Sequence, residues 1–317
     1  MIMITGGLGF IGSHTARALL DLGQSCVLTQ RRPARCPEFL AGALGTALHV
    51  EQLDVADPEA VLDLGSRYPI TGIVHLAAPG ADLPDTIDGL RANLIGLLNV
   101  LRAAERWSVA RVSVASSLAV YQGVTTGPYR EELPLRMTPA EPVPVLKKTA
   151  ELLGSLVAAS DDLDVLNLRL STIWGPLRRL NEPPFSAVPD LVRSGAEATR
   201  AAAPVSLDLY RDDGRDLCYV KDCARGIALL QLAGGLRHRT YNVADGRVTT
   251  NRDIGGAIGA ALPGASIELL PGRDPDGGEP TCLDVSRIHA DTGYAPAYSL
   301  DPALADYIAW LTAGHEY

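Results

Sequence analysis

The first twenty residues constrain the fold more than any other stretch of this chain. Met1-Ile2-Met3-Ile4 is a short apolar run, Thr5-Gly6-Gly7-Leu8-Gly9-Phe10-Ile11-Gly12 follows at once, and Ser13 to Leu20 reads as a helix. Strand, glycine turn and helix in that order are the context that gives such a motif meaning. Gly6 and Gly9 let the backbone turn sharply and approach a diphosphate, and Gly12 lets the helix lie close to the strand. The helix N-terminus then offers free N–H groups to the anion. The pattern predicts a dinucleotide site built on Gly6, Gly9, Phe10, Ile11 and Gly12; the alternative is a tight turn with no ligand.

A chain of 317 residues can bury a large core in one or two domains. An apolar fraction of 47% with 31 glycines suits a globular α/β protein. The net charge of −9 argues against a nucleic-acid groove or a basic membrane patch. No run approaches the ~20 apolar residues of a membrane span. The chain opens on a strand pattern without a basic leader, so no secretory signal is expected. The five cysteines, Cys26, Cys36, Cys218, Cys223 and Cys282, form no Cys-x-x-Cys, and the six histidines are scattered. That usage suits a reducing cytoplasm and offers no metal site. The expectation is a cytoplasmic protein with no metal, no nucleic-acid partner and no membrane partner.

The first half alternates short apolar runs with helical patterns. Strands are expected at Met1–Ile4, Ser25–Thr29, Ala47–Gln52, Gly72–Leu76, Arg111–Ala115 and Val165–Leu170. Helices are expected at His14–Leu22, Pro58–Arg67, Asp88–Arg106 and Val145–Ala159. This alternation predicts a Rossmann-type, doubly wound parallel sheet. After Leu170 the rhythm breaks. Residues 175–214 are rich in Pro, Arg and Asp, a helix follows at Val220–Ala233, then a strand at Tyr241-Asn242-Val243 and a helix from Asn251. Residues 263–280 read as a loop. The expected organisation is a dinucleotide domain over residues 1–170, rejoined by residues 215–235, and a smaller C-terminal substrate lobe mainly over 171–317.

In sheets that bind NAD, the second strand ends in an acid that holds the ribose 2′-hydroxyl. Here the tip reads Thr29-Gln30-Arg31-Arg32. No acid is present, and a guanidinium pairs with phosphate in a fork. Arg31 and Arg32 therefore favour NADP, with NAD as the alternative; a solvated basic loop is the bland reading. Asp54 and Val55, after the third strand, are placed to reach the adenine. His75-Leu76-Ala77-Ala78, after the fourth, lines the nicotinamide side, which adds Leu76, Ala77 and Ala78 to the cofactor residues.

At this point the chain resembles the extended short-chain dehydrogenase/reductases, the epimerase/dehydratase group. The matching segments run almost end to end. They are the Thr5–Gly12 turn, Val74-His75-Leu76-Ala77-Ala78, Asn93 in Asn-Leu-Ile-Gly, and Ser116-Ser117-Leu118-Ala119-Val120-Tyr121. Lys147 with Glu151 four residues on, Leu168-Arg169-Leu170 running to Trp174-Gly175-Pro176, and Arg215-Asp216-Leu217-Cys218-Tyr219-Val220-Lys221-Asp222 follow. Tyr241-Asn242-Val243 and Thr292-Gly293-Tyr294-Ala295-Pro296 complete the set. The resemblance implies that Asn93 and Lys147 contact the cofactor and that Ser117 steadies the substrate oxygen. It does not fix the substrate, because one fold hosts many reactions.

Members of that group usually carry Tyr-x-x-x-Lys, in which the tyrosine moves a proton and the lysine lowers its pKa. Lys147 matches the lysine, and the position four before it is Val143. The only other lysines are Lys148 and Lys221, preceded at the same spacing by Pro144 and Leu217, so no register supplies the motif. Losing a positioned acid typically costs about 10²–10⁴ in rate. Three explanations compete. Another group serves as acid, with Tyr121, Tyr129, Ser117, a substrate hydroxyl or water as candidates. Alternatively the protein binds dinucleotide and ligand without turnover, as a sensor or partner protein, or its chemistry has moved away from simple redox. Ser117, Lys147 and Tyr121 are the candidate catalytic residues, and Val143 is a candidate wall of the substrate pocket.

By the same resemblance, Arg215 stands where nucleotide-sugar members place an arginine on the substrate diphosphate. Arg273 and Asp276 resemble a clamp on diphosphate and nucleoside. Arg178, Arg179 and Arg193 add positive charge. The helices at 88–106 and 145–159 often form a homodimer interface in this group. The stripe Leu146, Ala150, Leu153 and Val157 serves either that interface or ordinary core. The function expected is an NAD(P)-dependent oxidoreductase or epimerase-type enzyme on a nucleotide sugar or related carbonyl or alcohol, working by an atypical mechanism.

Overall fold

The computed structural model describes residues 1–78, 86–137, 141–160, 163–178 and 187–314. The first half runs β1 (Ile2–Thr5), α1 (Phe10–Asp21), β2 (Cys26–Gln30), α2 (Glu38–Ala41), β3 (Leu48–Gln52), α3 (Pro58–Arg67) and β4 (Gly72–His75). Then come α4 (Thr86–Trp107), β5 (Val112–Ser117), a single 3₁₀ turn (Leu118–Tyr121), α5 (Pro142–Ser160) and β6 (Val165–Leu170). The second half continues with β7 (Thr172–Trp174), α6 (Ala187–Ala201), β8 (Val205–Tyr210), β9 (Gly214–Tyr219), α7 (Val220–Leu232) and β10 (Thr240–Val243). It closes with β11 (Val248–Thr250), α8 (Asn251–Ala261), β12 (Ile267–Leu270), α9 (Ser286–Thr292) and α10 (Leu300–Thr312).

Seven strands form one sheet in the order β10-β6-β5-β4-β1-β2-β3, and all the pairings are parallel. The expected doubly wound sheet is therefore present. Its strands are apolar on both sides because both faces are covered. Ile2, Ile4, Cys26 and Leu28 face one core with Leu19 of α1 and Ile227 and Leu230 of α7. The alternate residues Met3 and Val27 face a second core with Val61 of α3 and Leu97, Val100 and Leu101 of α4. That split is the two-residue period of a strand. Strand order reverses between β1 and β4, so the carboxyl ends of these two strands open a crevice, the usual ligand position in such sheets.

The chain beyond β6 builds a smaller body around a third core that includes Trp174, Leu191, Tyr219, Ile254, Ile258 and Tyr307. It holds a three-stranded sheet, β11-β9-β7, and a two-stranded sheet, β12-β8. Two stretches depart from the sequence expectation. Residues 175–214 include α6 and β8, because Val188, Leu191, Val192, Gly195 and Ala198 supply a buried helical stripe inside a polar, proline-bearing segment. Within 263–280 lies β12, whose Ile267 and Leu269 alternate inward while it pairs with β8. Between residues 215 and 235, α7 packs on α1, and β10 adds the sheet's edge strand beyond that stretch. Of the stripe read on α5, Ala150, Leu153 and Val157 pack against the second core. Leu152 and Leu156 of α5 are exposed instead.

Arg111 ties the two halves together. Its guanidinium pairs with Asp164 at 2.7 Å and donates to the Leu230 and Ala233 carbonyls at 2.7 and 2.6 Å. It thereby links the starts of β5 and β6 to the end of α7. Removing the guanidinium takes away the donor of two buried carbonyls and one partner of Asp164, which keeps Arg239 at 3.4 Å, at a cost of about 2–4 kcal/mol. Arg111→Leu should lower the unfolding free energy in urea by that amount. An unchanged midpoint would show that the guanidinium is dispensable.

Candidate active site

The β1–α1 turn sits at the sheet's crevice. Gly6 has φ +65°, a conformation that glycine adopts without strain, and its carbonyl accepts the Gly9 N–H at 3.0 Å. A Cβ at Gly12 would run into that carbonyl and lie 2.9 Å from the Gly7 Cα. Helix α1 starts at Phe10, with Gly9 as an N-cap that has no side-chain cap and with no acid in the first turn. Its leading N–H groups therefore lack intrahelical partners and face outward as an anion seat. The turn brings Gly6, Gly9, Phe10, Ile11 and Gly12 together. Phe10 carries the Arg178 guanidinium 5.7 Å from its ring centroid, and the His14 Nε2 meets the Pro176 carbonyl at 3.1 Å. The second half of the chain thus leans on the first turn of α1.

Beside this turn, β2 ends at Gln30, with Arg31 and Arg32 exposed just beyond it. The Thr29 hydroxyl and the Gln30 Oε1 are buried without hydrogen-bond partners. Buried polar atoms are normally satisfied. Orphans at a strand end beside an anion seat fit a hydroxylated ligand that completes them. After β3, the exposed Asp54 accepts the Ala56 N–H at 2.9 Å. The Val55 carbonyl accepts from Asn99 of α4 at 2.9 Å.

At the end of β4 the Thr5 hydroxyl accepts the N–H groups of Leu76 and Ala77 at 3.2 and 3.1 Å. Its own proton is then directed to the His75 Nδ1, 2.8 Å away, which leaves the neutral ring with its proton on Nε2. Leu76 and Ala77 are thereby fixed against Gly6, whose missing Cβ would lie 3.2 Å from the Ala77 Cα; Ala78 beyond them is exposed. The Asn93 amide donates to the Gly89 carbonyl of its own helix at 2.9 Å.

Ser117 ends β5 on the same edge of the sheet. Its hydroxyl oxygen accepts the Ala119 N–H at 3.2 Å, which leaves the hydroxyl proton available. Lys147 of α5 donates to the Ala115 carbonyl, two residues before Ser117, at 2.7 Å. Burial lowers its pKa from 10.5 to about 8, against the opposing field of Glu151. One helical turn earlier, Val143 is 44% exposed. The three sequence candidates Ser117, Lys147 and Val143 thus belong to one neighbourhood of β5 and α5.

The structure places Tyr121 away from the surface. The 3₁₀ turn carries it inward, where it is 1% exposed. Its hydroxyl donates to the Asn242 Oδ1 at 2.9 Å and accepts from Arg169 at 2.9 Å, and burial pushes its pKa up. Its proton is committed to Asn242 and its oxygen accepts from Arg169, both inside the core. Tyr129 stacks on it with ring centroids 4.8 Å apart and donates to the Val124 carbonyl at 3.3 Å. Sequence reasoning missed the centre of this network. Arg169 reaches Glu151 at 2.7 and 2.9 Å, Tyr121, and the Glu131 carbonyl at 3.1 Å; Ser116 also donates to Glu151. A signal existed: an arginine in the mostly apolar run Val165-Leu166-Asn167-Leu168-Arg169-Leu170 needs a partner if buried.

In the smaller body, Arg215 is exposed on β9 opposite Thr249 of β11. Arg273 forks onto Glu279 of its own loop, and Asp276 is exposed in a turn closed on Asp274. That loop rests on the β8–β9 turn, since the Asp274 N–H donates to Asp213 at 3.0 Å. Arg273 and Asp276 therefore lie near the strand that bears Arg215. Arg193 pairs with Asp190 at 2.7 Å on the surface of α6, and Arg179 lies outside the described residues.

His14 and His75 are both held neutral by burial, with pKa values lowered from 6.5 to about 4. Between pH 4 and 6.5 the unfolded chain binds more protons at these rings, so stability rises with pH through that window. Buried Asp216, raised from 3.8 to about 6, acts in the opposite sense between those values. His14→Asn and His75→Asn should each flatten the rise of unfolding free energy between pH 4 and 6.5, measured by urea denaturation. A slope unchanged in both variants would mean the rings are not buried neutral.

Three similarities bear on this site. The dTDP-glucose 4,6-dehydratase of Streptomyces griseus is 29% identical over 322 residues, which cover 98% of this chain and 93% of that protein. MoeE5, solved in complex with UDP-glucose and NAD, is 27% identical, with a TM-score of 0.77 over 99% of both chains. The UDP-glucose 4-epimerase of Thermotoga maritima, solved with UDP-glucose, shares the fold with a TM-score of 0.81 over 99% of both chains at 21% identity. The pattern of one family spans residues 2–244, from β1 through β10, and on that match the chain belongs to the NAD dependent epimerase/dehydratase family.

Proposed function

We propose that this chain is a nucleotide-sugar enzyme of the epimerase or dehydratase type that works with a bound nicotinamide dinucleotide. One observation carries the reading. The uncapped N-terminus of α1, closed down by Gly6 and Gly12, stands at the reversal between β1 and β4, on the same sheet edge as Ser117 and Lys147. Similar proteins of comparable length are named for nucleotide sugars: the dTDP-glucose 4,6-dehydratase of Streptomyces griseus, and MoeE5 in complex with UDP-glucose and NAD. The dinucleotide, when bound, supplies or takes a hydride.

This chain's residues then have distinct tasks. Gly6, Gly9, Phe10, Ile11 and Gly12 seat the diphosphate, and Asp54 and Val55 flank the adenosine side. Leu76, Ala77, Ala78 and Asn93 line the nicotinamide side, where Lys147 holds the ribose. Ser117 donates its free hydroxyl proton to the substrate oxygen, and Val143 forms the apolar wall where the family places a tyrosine. Arg215, with Arg273 after its release from Glu279 and with Asp276, holds the sugar nucleotide's diphosphate and nucleoside. We infer NADP as the preferred cofactor. Gln30 puts no carboxylate at the end of β2, and the exposed Arg31 and Arg32 suit a 2′-phosphate. The exposed Leu98, Leu152 and Leu156 on the packed pair α4 and α5 support a homodimer through those helices. Among the described residues no helix is long and apolar enough to cross a membrane. The thiols are all free, which supports a cytoplasmic location.

Calorimetry with NADP and NAD, followed by NMR of UDP- and dTDP-glucose incubated with the loaded protein, tests this reading. NADP should bind at least about tenfold more tightly than NAD, since a hydrogen bond to a charged group contributes about 1.5–3 kcal/mol. Arg31→Ala and Arg32→Ala should each lower affinity for NADP and leave that for NAD unchanged. A sugar nucleotide should be converted. Tighter NAD binding would reverse the cofactor assignment. Binding of both ligands without conversion would make the protein a sensor.

A further inference from the structure

The ammonium of Lys147 has an unusual setting. Among the described residues its one hydrogen-bond partner is the Ala115 carbonyl at 2.7 Å, so two of its three protons have no acceptor. The carboxylate one turn further along α5 does not neutralise it. Both Glu151 oxygens are taken by Arg169, at 2.9 and 2.7 Å, and one also accepts from Ser116. Among the described residues, the other titratable side chains near it are already engaged. Tyr121 and Tyr129 donate to protein acceptors. His75, facing Lys147 from β4, has its Nδ1 bound to Thr5 and its ring held neutral. The first turn of α5, Pro142-Val143-Pro144-Val145-Leu146, contains nothing that titrates. Glu141, just before it, is exposed and holds the Gln122 amide at 3.2 Å.

We propose that Lys147 is itself the proton-transfer residue of this enzyme, acting on the substrate oxygen beside Ser117 in place of the acid that Val143 does not supply. The proposal rests on the nucleotide-sugar reading above. In the oxidising direction the neutral amine takes the proton of the substrate hydroxyl. A bound oxidised nicotinamide would accept the two electrons of the adjacent C–H bond as hydride, leaving a C=O bond. In the reducing direction the ammonium returns that proton to the oxygen as hydride comes back to the carbon. Both states of the amine are accessible near neutrality because desolvation lowers its pKa to about 8. The charged groups that face it are Glu151, already paired with Arg169, and His75, which is neutral, so neither pins the lysine in its charged form. Ser117 alone does not replace it, because a serine hydroxyl, even with a cation beside it, ionises far above neutral pH and so is a poor acid and base by itself.

The chain has three lysines, Lys147, Lys148 and Lys221, so ¹⁵N labelling at lysine Nζ gives a resolvable spectrum. Lys148→Arg and Lys221→Arg assign the Lys147 signal without touching the site. With dinucleotide bound, the Lys147 signal should titrate near pH 8. The break in kcat/KM should fall within about one pH unit of it, as expected of an essential acid or base in the reacting form. Lys147→Arg keeps a positive charge for the ribose. It should retain dinucleotide affinity within about threefold, lose about 10²-fold or more in turnover, and lose the break near pH 8. A Lys147 signal that titrates like an ordinary lysine, or a break that persists unmoved in Lys147→Arg, would overturn the proposal while leaving the nucleotide-sugar reading intact. Failure of the wild-type protein to bind any dinucleotide would instead overturn the reading beneath it and the proposal with it.

Discussion

The buried pair of Arg169 and Glu151 fixes the site. Arg169 stands on β6 and Glu151 on α5, 6% and 9% exposed at their side chains and 2.7 Å apart. Burying two charges is costly, and a pair of this kind contributes little net stability compared with a well-packed apolar substitute. Its value is geometric. Glu151 also receives Ser116 from β5, while Arg169 reaches Tyr121 and the Glu131 carbonyl. Helix α5 therefore has one register against β5 and β6. Lys147, one turn before Glu151, follows from that register, and so does its contact with the Ala115 carbonyl.

The same network holds Tyr121. Four positions after Ser117, it looked like a neighbour of the substrate. The 3₁₀ turn at Leu118–Tyr121 rotates it into the core, where its partner Asn242 is 121 residues away in the chain. Asn242 in turn donates to the Tyr129 and Asp284 carbonyls at 2.9 and 3.0 Å. The polar centre beneath the active site is thus a joint between β5, β6, β10 and the loop before α9, and it holds the ends of those strands in place.

Much of the first half of the fold was legible because its signals are local. The run Met1 to Gly12 contains a strand, a turn that needs glycine at φ +65° and a helix start, each decided within a few residues. The alternation of apolar runs and helical patterns did the same for β2 through β6. The second half was harder to read. Helix α6 hides its apolar stripe among Asp190, Arg193 and Glu197, and β12 is four residues whose only strand neighbour is β8, about sixty positions earlier in the chain. In the site, the residue types of Ser117, Lys147 and Val143 could be read directly, and the absence of a tyrosine was visible as a spacing. The hydrogen-bond partners were not, because Arg169, Glu151 and Asn242 meet only through the fold. The orphaned Gln30 Oε1 is a property of packing that no sequence pattern states.

The account stands on one placement: a dinucleotide that lies across the β1–β4 reversal with its diphosphate on α1 and its nicotinamide ribose on Lys147. A crystal structure of the protein with NADP tests that placement most directly. The account predicts diphosphate oxygens on the first N–H groups of α1 and the 2′-phosphate between Arg31 and Arg32. It also predicts ribose hydroxyls on the Lys147 Nζ and no protein oxygen in the space over Val143. A dinucleotide seated elsewhere, or a nicotinamide ribose that does not touch Lys147, would contradict it.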